Sequence, residues 1–79
     1  MLIKKEQKFL DSLGKRIFEL RKEKGMTQEE LAEKLGTLHN QISRLENGMV
    51  NPKITTLLKV AEVLGVSVSD LLNFPDDIK

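Results

Sequence analysis

The 79-residue chain contains no cysteine, no tryptophan and no tyrosine. Without cysteine, neither a disulfide framework nor a thiolate metal site can brace the core. The single histidine, His39, removes the ordinary zinc ligand sets as well, so no metal and no cofactor are expected. Aromatic mass is limited to three phenylalanines, and only two prolines interrupt the chain. No apolar run approaches the ~20 residues needed to cross a bilayer, and Met1-Leu2-Ile3-Lys4-Lys5 is too short for a signal peptide. The reading is a soluble cytoplasmic protein. Catalytic equipment is missing too: there is no Gly-rich phosphate loop, and one histidine leaves no credible Ser–His–acid set. The chain is therefore not expected to be an enzyme, and nothing in it points to a small-molecule ligand. Its length makes it one domain near the lower end of what a single core stabilises. Compact helical packing or oligomerisation has to supply the rest.

The net charge of +1 is close to neutral, but its distribution is not even. Residues 1–24 hold eight Lys/Arg against four Asp/Glu, residues 25–48 two against four, and residues 49–79 three against four. The basic excess thus lies in the first segment, where it serves either long-range attraction of an anionic partner or simply a solvated helix face.

Residues 1–8 are charged and carry little pattern; they form either an arm or an extension of the first helix. From Phe9, Leu10, Leu13, Ile17 and Leu20 recur at helical spacing, with Gly14 inside the run as a point of close helix approach. Lys22, Glu23, Lys24 and Gly25 read as a helix C-terminus. A second helix starts at a capping box, Thr27 with Glu30, and Met26 is placed to pack on Leu31 as a hydrophobic staple. It ends at Leu35-Gly36. A third runs over Leu38–Asn47, with Thr37 the better chemical cap. A loop containing Asn51-Pro52 leads to a fourth, with an apolar stripe of Ile54, Leu57, Leu58, Ala61 and Leu64 and a terminal Gly65. Ser67 and Asp70 repeat the capping-box pattern, and a fifth short helix runs to about Asn73, before Pro75. The fold class is all-α, with five helices. The domain spans 9–74, and 75–79 is a tail.

The stretch Thr27–Gly48 organises the chain. Two amphipathic segments flank the turn at Gly36, with Leu31, Ala32 and Leu35 inward on one and Ile42 and Leu45 inward on the other. This is the pattern of a helix-turn-helix with its recognition helix second. The outward positions of that helix carry His39, Asn40, Gln41, Ser43 and Arg44. In the major groove, Arg donates two bonds to guanine O6/N7 and Asn pairs bidentately with adenine. His39, Asn40 and Arg44 are therefore the base-reading candidates, while Gln41 and Ser43 are assigned to phosphate. In isolation, such residues would read as an ordinary solvated surface; the motif around them gives them a role.

GKRIFELRKEKGMTQEELAEKLGT, ISRLENG and NPKITTLLKVAEVLGVSVSDLL resemble the phage-repressor-like helix-turn-helix domains of the Cro/C1 (XRE) family, from about Leu13 to Leu72. Gln28, Ala32, Gly36, Ile42 and Leu45 fall at the family's spacing. The resemblance implies a compact five-helix lambda-repressor-like domain that binds double-stranded DNA as a transcriptional regulator. It implies that Gln28 bonds a phosphate at the start of the second helix, and that Asn47, the Gly48 amide and Lys53 clamp the backbone on the other side. It also implies a structural ion pair, Arg21 with Glu46, joining the first helix to the end of the third. Two positions depart from the pattern. Leu38 stands where a hydroxyl usually caps the recognition helix, and Lys53 where Ser or Thr often caps the fourth. Leu38 is either a poor cap or an apolar side chain that meets a thymine methyl.

A homodimer on a (pseudo)palindromic operator is expected, because one recognition helix reads only a few base pairs. Its surface is drawn from Phe9, Phe18, Val63, Phe74, Leu2 and Ile3. A controller protein, a prophage repressor and an antitoxin are the subclasses compatible with this size. The rival is a protein-interaction module, antitoxin-like or adaptor, that keeps the scaffold without using DNA. Its acidic residues Glu29, Glu30 and Glu33 allow that reading, since fold alone does not carry function.

Overall fold

The computed structural model describes residues 4–74, and every regular element in that span is an α-helix. The first, α1 (Lys4–Glu23), begins before the apolar period does, because its opening turns face solvent and carry charge. Its inner face is Leu10, Leu13, Gly14, Ile17, Leu20 and Arg21, a helical stripe with one cation in it. The helix unwinds through Gly25, whose amide donates to the Lys22 carbonyl at 2.9 Å.

The second helix, α2 (Gln28–Leu35), starts at Thr27 with both halves of the capping box formed. Thr27 Oγ1 accepts from the Glu30 amide at 3.0 Å, and Glu30 Oε1 accepts from the Thr27 amide at 2.8 Å. Two of the helix's orphan donors are thus satisfied reciprocally. Gly36, at φ 70°, is left-handed, a conformation costly for any residue with a Cβ. It lets the Thr37 amide turn back to the Ala32 carbonyl at 2.9 Å.

The third helix, α3 (His39–Glu46), has Leu38 as its N-cap, not Thr37, and Leu38 makes no side-chain cap bond. The Leu38 carbonyl accepts the first bonds of the helix, from the Gln41 amide at 3.0 Å and the Ile42 amide at 3.4 Å. Ile42, Leu45 and Glu46 are the buried residues of α3.

The fourth helix, α4 (Ile54–Leu64), also starts without a side-chain cap, at Lys53. Its buried face is Leu57, Val60, Ala61 and Leu64. Two members of the expected stripe lie outside it: Ile54 is 68% exposed and Leu58 50%. The pattern around Val60 defines the inner face, and Ile54 and Leu58 fall one turn apart beside it. The fifth helix, α5 (Val68–Leu71), has the Ser67–Asp70 capping box in place but stops at Leu72, short of Asn73. Arg16 Nε donates to the Asp70 carbonyl at 3.0 Å, tying α5 to α1.

Ile17, Leu31, Val60, Leu64 and Leu71 are fully buried at the centre of one core that takes a side chain from each of α1, α2, α4 and α5, with Ile42 joining from α3. Each such burial stabilises the fold by about 1.5–3 kcal/mol. Met26, beside the start of α2, packs against the same core. Among the described residues no buried side-chain polar atom lacks a partner, no helix is long and apolar enough to cross a membrane, and no metal-ligating cluster occurs. Leu2, Ile3 and the 75–79 tail lie outside the described residues.

Candidate nucleic-acid interface

The pose of α3 is set mainly at its C-terminal end. Gly14 of α1 lies directly against it: a Cβ there would come within 2.5 Å of the Glu46 carbonyl oxygen and 2.6 Å of that of Leu45. Only glycine allows this crossing without movement of backbone. Beside it, Arg21 meets Glu46 in a bidentate pair, Nε–Oε2 at 2.6 Å and Nη2–Oε1 at 3.0 Å. Both side chains are buried, at 6% and 4% exposure. Arg21 Nη1 also donates to the Met26 carbonyl at 2.7 Å, so the pair fixes the α1–α2 turn as well. The two charges keep their cost of burial low by satisfying each other with matched fork geometry.

From Glu46 the network continues outward. Gln28 Nε2 donates to Glu46 Oε1 at 2.9 Å, and Gln28 Oε1 lies 2.7 Å from His39 Nε2. Gln28 is half-buried, and its side chain spans the first residues of both helices of the motif. Lys22, Thr27, Gln28 and His39 line one shallow concavity at this edge.

His39, Asn40, Gln41 and Arg44 are exposed on α3, and Ser43 is half-buried. Leu38, 67% exposed, stands at the same end as His39 and Asn40. Gln41 lines a groove with Thr37, Val50, Pro52, Thr56 and Lys59. Lys53 is exposed at the start of α4. Asn47 folds back on its own helix, its Nδ2 donating to the Ser43 carbonyl at 2.8 Å. Gly48 is buried; its amide donates to the Leu45 carbonyl at 3.2 Å. The Gly48 carbonyl accepts from Gln7 Nε2 at 2.9 Å, and Gln7 also donates to Asp11 Oδ1 at 3.0 Å. A Cβ on Gly48 would run into the Asp11 carboxylate.

Gln7 and Asp11 therefore brace the loop after α3, a role the sequence reading does not assign to them. Gln7, Asp11 and Gly14 fall four and three residues apart, on one face of α1. That spacing is the only sequence signal they carry, because their partners lie far along the chain.

Among the expected contributors to a dimer surface, Phe9 packs edge-on against Phe74 with centroids 5.4 Å apart. Phe18 lies beneath the Arg21 and Lys22 cations, and Val63 packs on the core. Ile54, Leu58, Met49 and Leu72 add further exposed apolar surface.

The helix-turn-helix family profile matches residues 17–71. The HTH-type transcriptional regulator PuuR of Escherichia coli is 40% identical over 63 residues, covering 80% of this chain and 34% of the relative. The chain thus spans about a third of that regulator's length. Among solved structures, the restriction-modification controller protein C.AhdI of Aeromonas hydrophila superposes with a TM-score of 0.78 at 32% identity, over 82% of this chain and 94% of the other. The biofilm master regulator SinR, solved in complex with DNA, gives 0.71 at 48% identity, over 77% and 98%. Profile, relatives and fold agree: the chain belongs to the Cro/C1-type (XRE) helix-turn-helix family of transcriptional regulators.

Proposed function

We propose that this chain is a sequence-specific double-stranded DNA-binding regulator that sets α3 in the major groove and works as a homodimer on a (pseudo)palindromic operator. One observation carries the reading. Along α3, His39, Asn40 and Arg44 present exposed hydrogen-bonding side chains, on a helix whose last residue, Glu46, is buried and ion-paired. Rigid backing with a polar outer row is what base recognition needs, since bidentate contacts tolerate little misplacement. The DNA complex of the similar SinR supports it.

In this reading His39, Asn40, Arg44 and Leu38 face base edges, Leu38 toward a thymine methyl. Gln28, Gln41, Ser43, Asn47 and Lys53 face phosphates and set register without reading sequence, whereas the Gly48 amide, expected to join them, is buried and bonded to the Leu45 carbonyl. Two half-sites would lie about 34 Å apart or a multiple of that. Ile54 and Leu58, one turn apart and exposed on α4, supply apolar surface for a two-fold contact.

The test is in vitro selection of duplexes from a random pool, repeated with Asn40→Ala and Arg44→Ala. The expected result is a two-fold symmetric site, with each variant losing discrimination at one position per half-site by roughly 1–3 kcal/mol. A uniform loss across all sequences would move these residues to phosphate contacts. Failure to select any duplex would favour the protein-interaction module.

A further inference from the structure

A chain of hydrogen bonds with an enforced direction runs from the buried ion pair to the first residue of α3. Glu46 is engaged by Arg21 through both carboxylate oxygens, and a carboxylate so paired only accepts. Gln28 lies 2.9 Å from Glu46 Oε1, so its NH2 must face that oxygen; its carbonyl there would set two acceptors against each other. The planar amide then turns Oε1 toward His39, at 2.7 Å from Nε2. A carbonyl oxygen cannot donate, so the proton of this bond belongs to His39 Nε2. The other ring nitrogen is thereby decided too, because a neutral imidazole has one donor and one acceptor.

We propose that Glu46, acting through Gln28, locks neutral His39 in its Nε2–H form, and that His39 therefore offers Nδ1 as an acceptor to a base amino group in the major groove. The partner is adenine N6 or cytosine N4, the two amino donors exposed there, in preference to purine N7 or guanine O6, which need a donor. This rests on the reading of α3 as the base-contacting helix. Gln28 becomes a positioning residue as well as a phosphate candidate: it sets the sign of the hydrogen bond that His39 makes. An unlocked imidazole at this position would populate both tautomers and accept either kind of base edge.

Two measurements test it separately. The first is a long-range proton–nitrogen spectrum of the full chain without DNA, read at a pH where the ring nitrogen shifts themselves report the neutral form. The expected result is a single tautomer with the proton on Nε2, relaxing to a mixture in Gln28→Met, with melting confirming that the variant is folded. A proton on Nδ1, or a mixture in the unaltered chain, would overturn the lock. The second uses the selected duplex, at the base pair whose preference relaxes in His39→Ala. Replacing adenine by purine, or cytosine by pyrimidin-2-one, removes the amino group and should weaken binding roughly tenfold, the scale of one hydrogen bond lost. A 7-deazapurine at the same pair, lacking N7, should change binding less than about twofold. The opposite pattern would overturn the base assignment. Selection of no duplex would overturn it too, together with the proposed function, while the tautomer stands or falls by the spectrum alone.

Discussion

Helices α2 and α3 are both eight residues long, yet they are held in opposite ways. Helix α2 carries its own instructions: a complete capping box at Thr27 and Glu30 and a left-handed glycine at its end. Helix α3 begins bare, at an exposed Leu38 with no side-chain cap. What holds it is tertiary: Gly14 against its last carbonyls, Glu46 in the grip of Arg21, and Ile42 and Leu45 in the core. Locally specified α2 serves as a fixed strut, whereas α3 is clamped from its C-terminal half and leaves its N-terminal end exposed, tethered there by the Gln28–His39 bond. In the proposed function, that exposed end is the one that meets DNA.

The sharpest way to break this contrast is Arg21→Ala, which strands the Glu46 carboxylate in the core. The expected cost is about 3–5 kcal/mol, enough to leave a domain of this size largely unfolded or marginal; an unchanged melting temperature would remove the ion pair from its structural role. Gly14→Ala should come next. Added helix propensity favours it by roughly 1 kcal/mol, but the new Cβ drives into the Leu45 and Glu46 carbonyls. A net loss of about 1–3 kcal/mol is expected from the overpacking, read as a lower denaturant midpoint; a gain would mean that α3 is not seated on Gly14.

Capping tests the other side of the comparison. Thr27→Ala should cost α2 about 1 kcal/mol, whereas Leu38→Ser should add up to about 1 kcal/mol to α3 by supplying the missing cap. At this chain length each kcal/mol moves the melting temperature by roughly 4–8 °C. Destabilisation by Leu38→Ser would show that Leu38 is structural where it stands. The smallest effect is a titration. Glu30 is held below the ordinary carboxylate range, chiefly by the Thr27 backbone amide, then by the Thr27 hydroxyl, with a small contribution from Lys34. A depressed folded value means that the stabilisation is present above the ordinary carboxylate range. It is lost as pH falls through the lowered value. In Glu30→Gln the acid limb of the stability profile should flatten slightly, and an identical limb would show that the carboxylate charge does not contribute.

The same division explains what could be read from the chain. Both capping boxes were legible because donor and acceptor lie three residues apart. The ion pair of Arg21 and Glu46 came only with the family resemblance, since nothing local joins positions that far apart. At the start of α3 the chemistry favours Thr37 as cap while the family spacing points to Leu38, and it is the Leu38 carbonyl that takes the first helical bonds. Helical periodicity places Ile54 and Leu58 on the inner stripe of α4, but both are exposed, and Leu57, Val60, Ala61 and Leu64 fill the buried face instead. Gln7 bonding the Gly48 carbonyl, and Gln28 bridging Glu46 to His39, were invisible for the same reason. Each joins side chains whose proximity exists only after the helices have packed.

The measurement that bears most directly on the account is a fluorescence-anisotropy titration of the full chain on its selected duplex across a range of salt concentrations. Phosphate contacts release counterions, so the affinity should fall linearly and steeply on a log–log plot as salt rises, and an unrelated duplex should bind far more weakly at every salt. Absence of binding to any duplex at low salt, or binding that neither salt nor sequence affects, would contradict it.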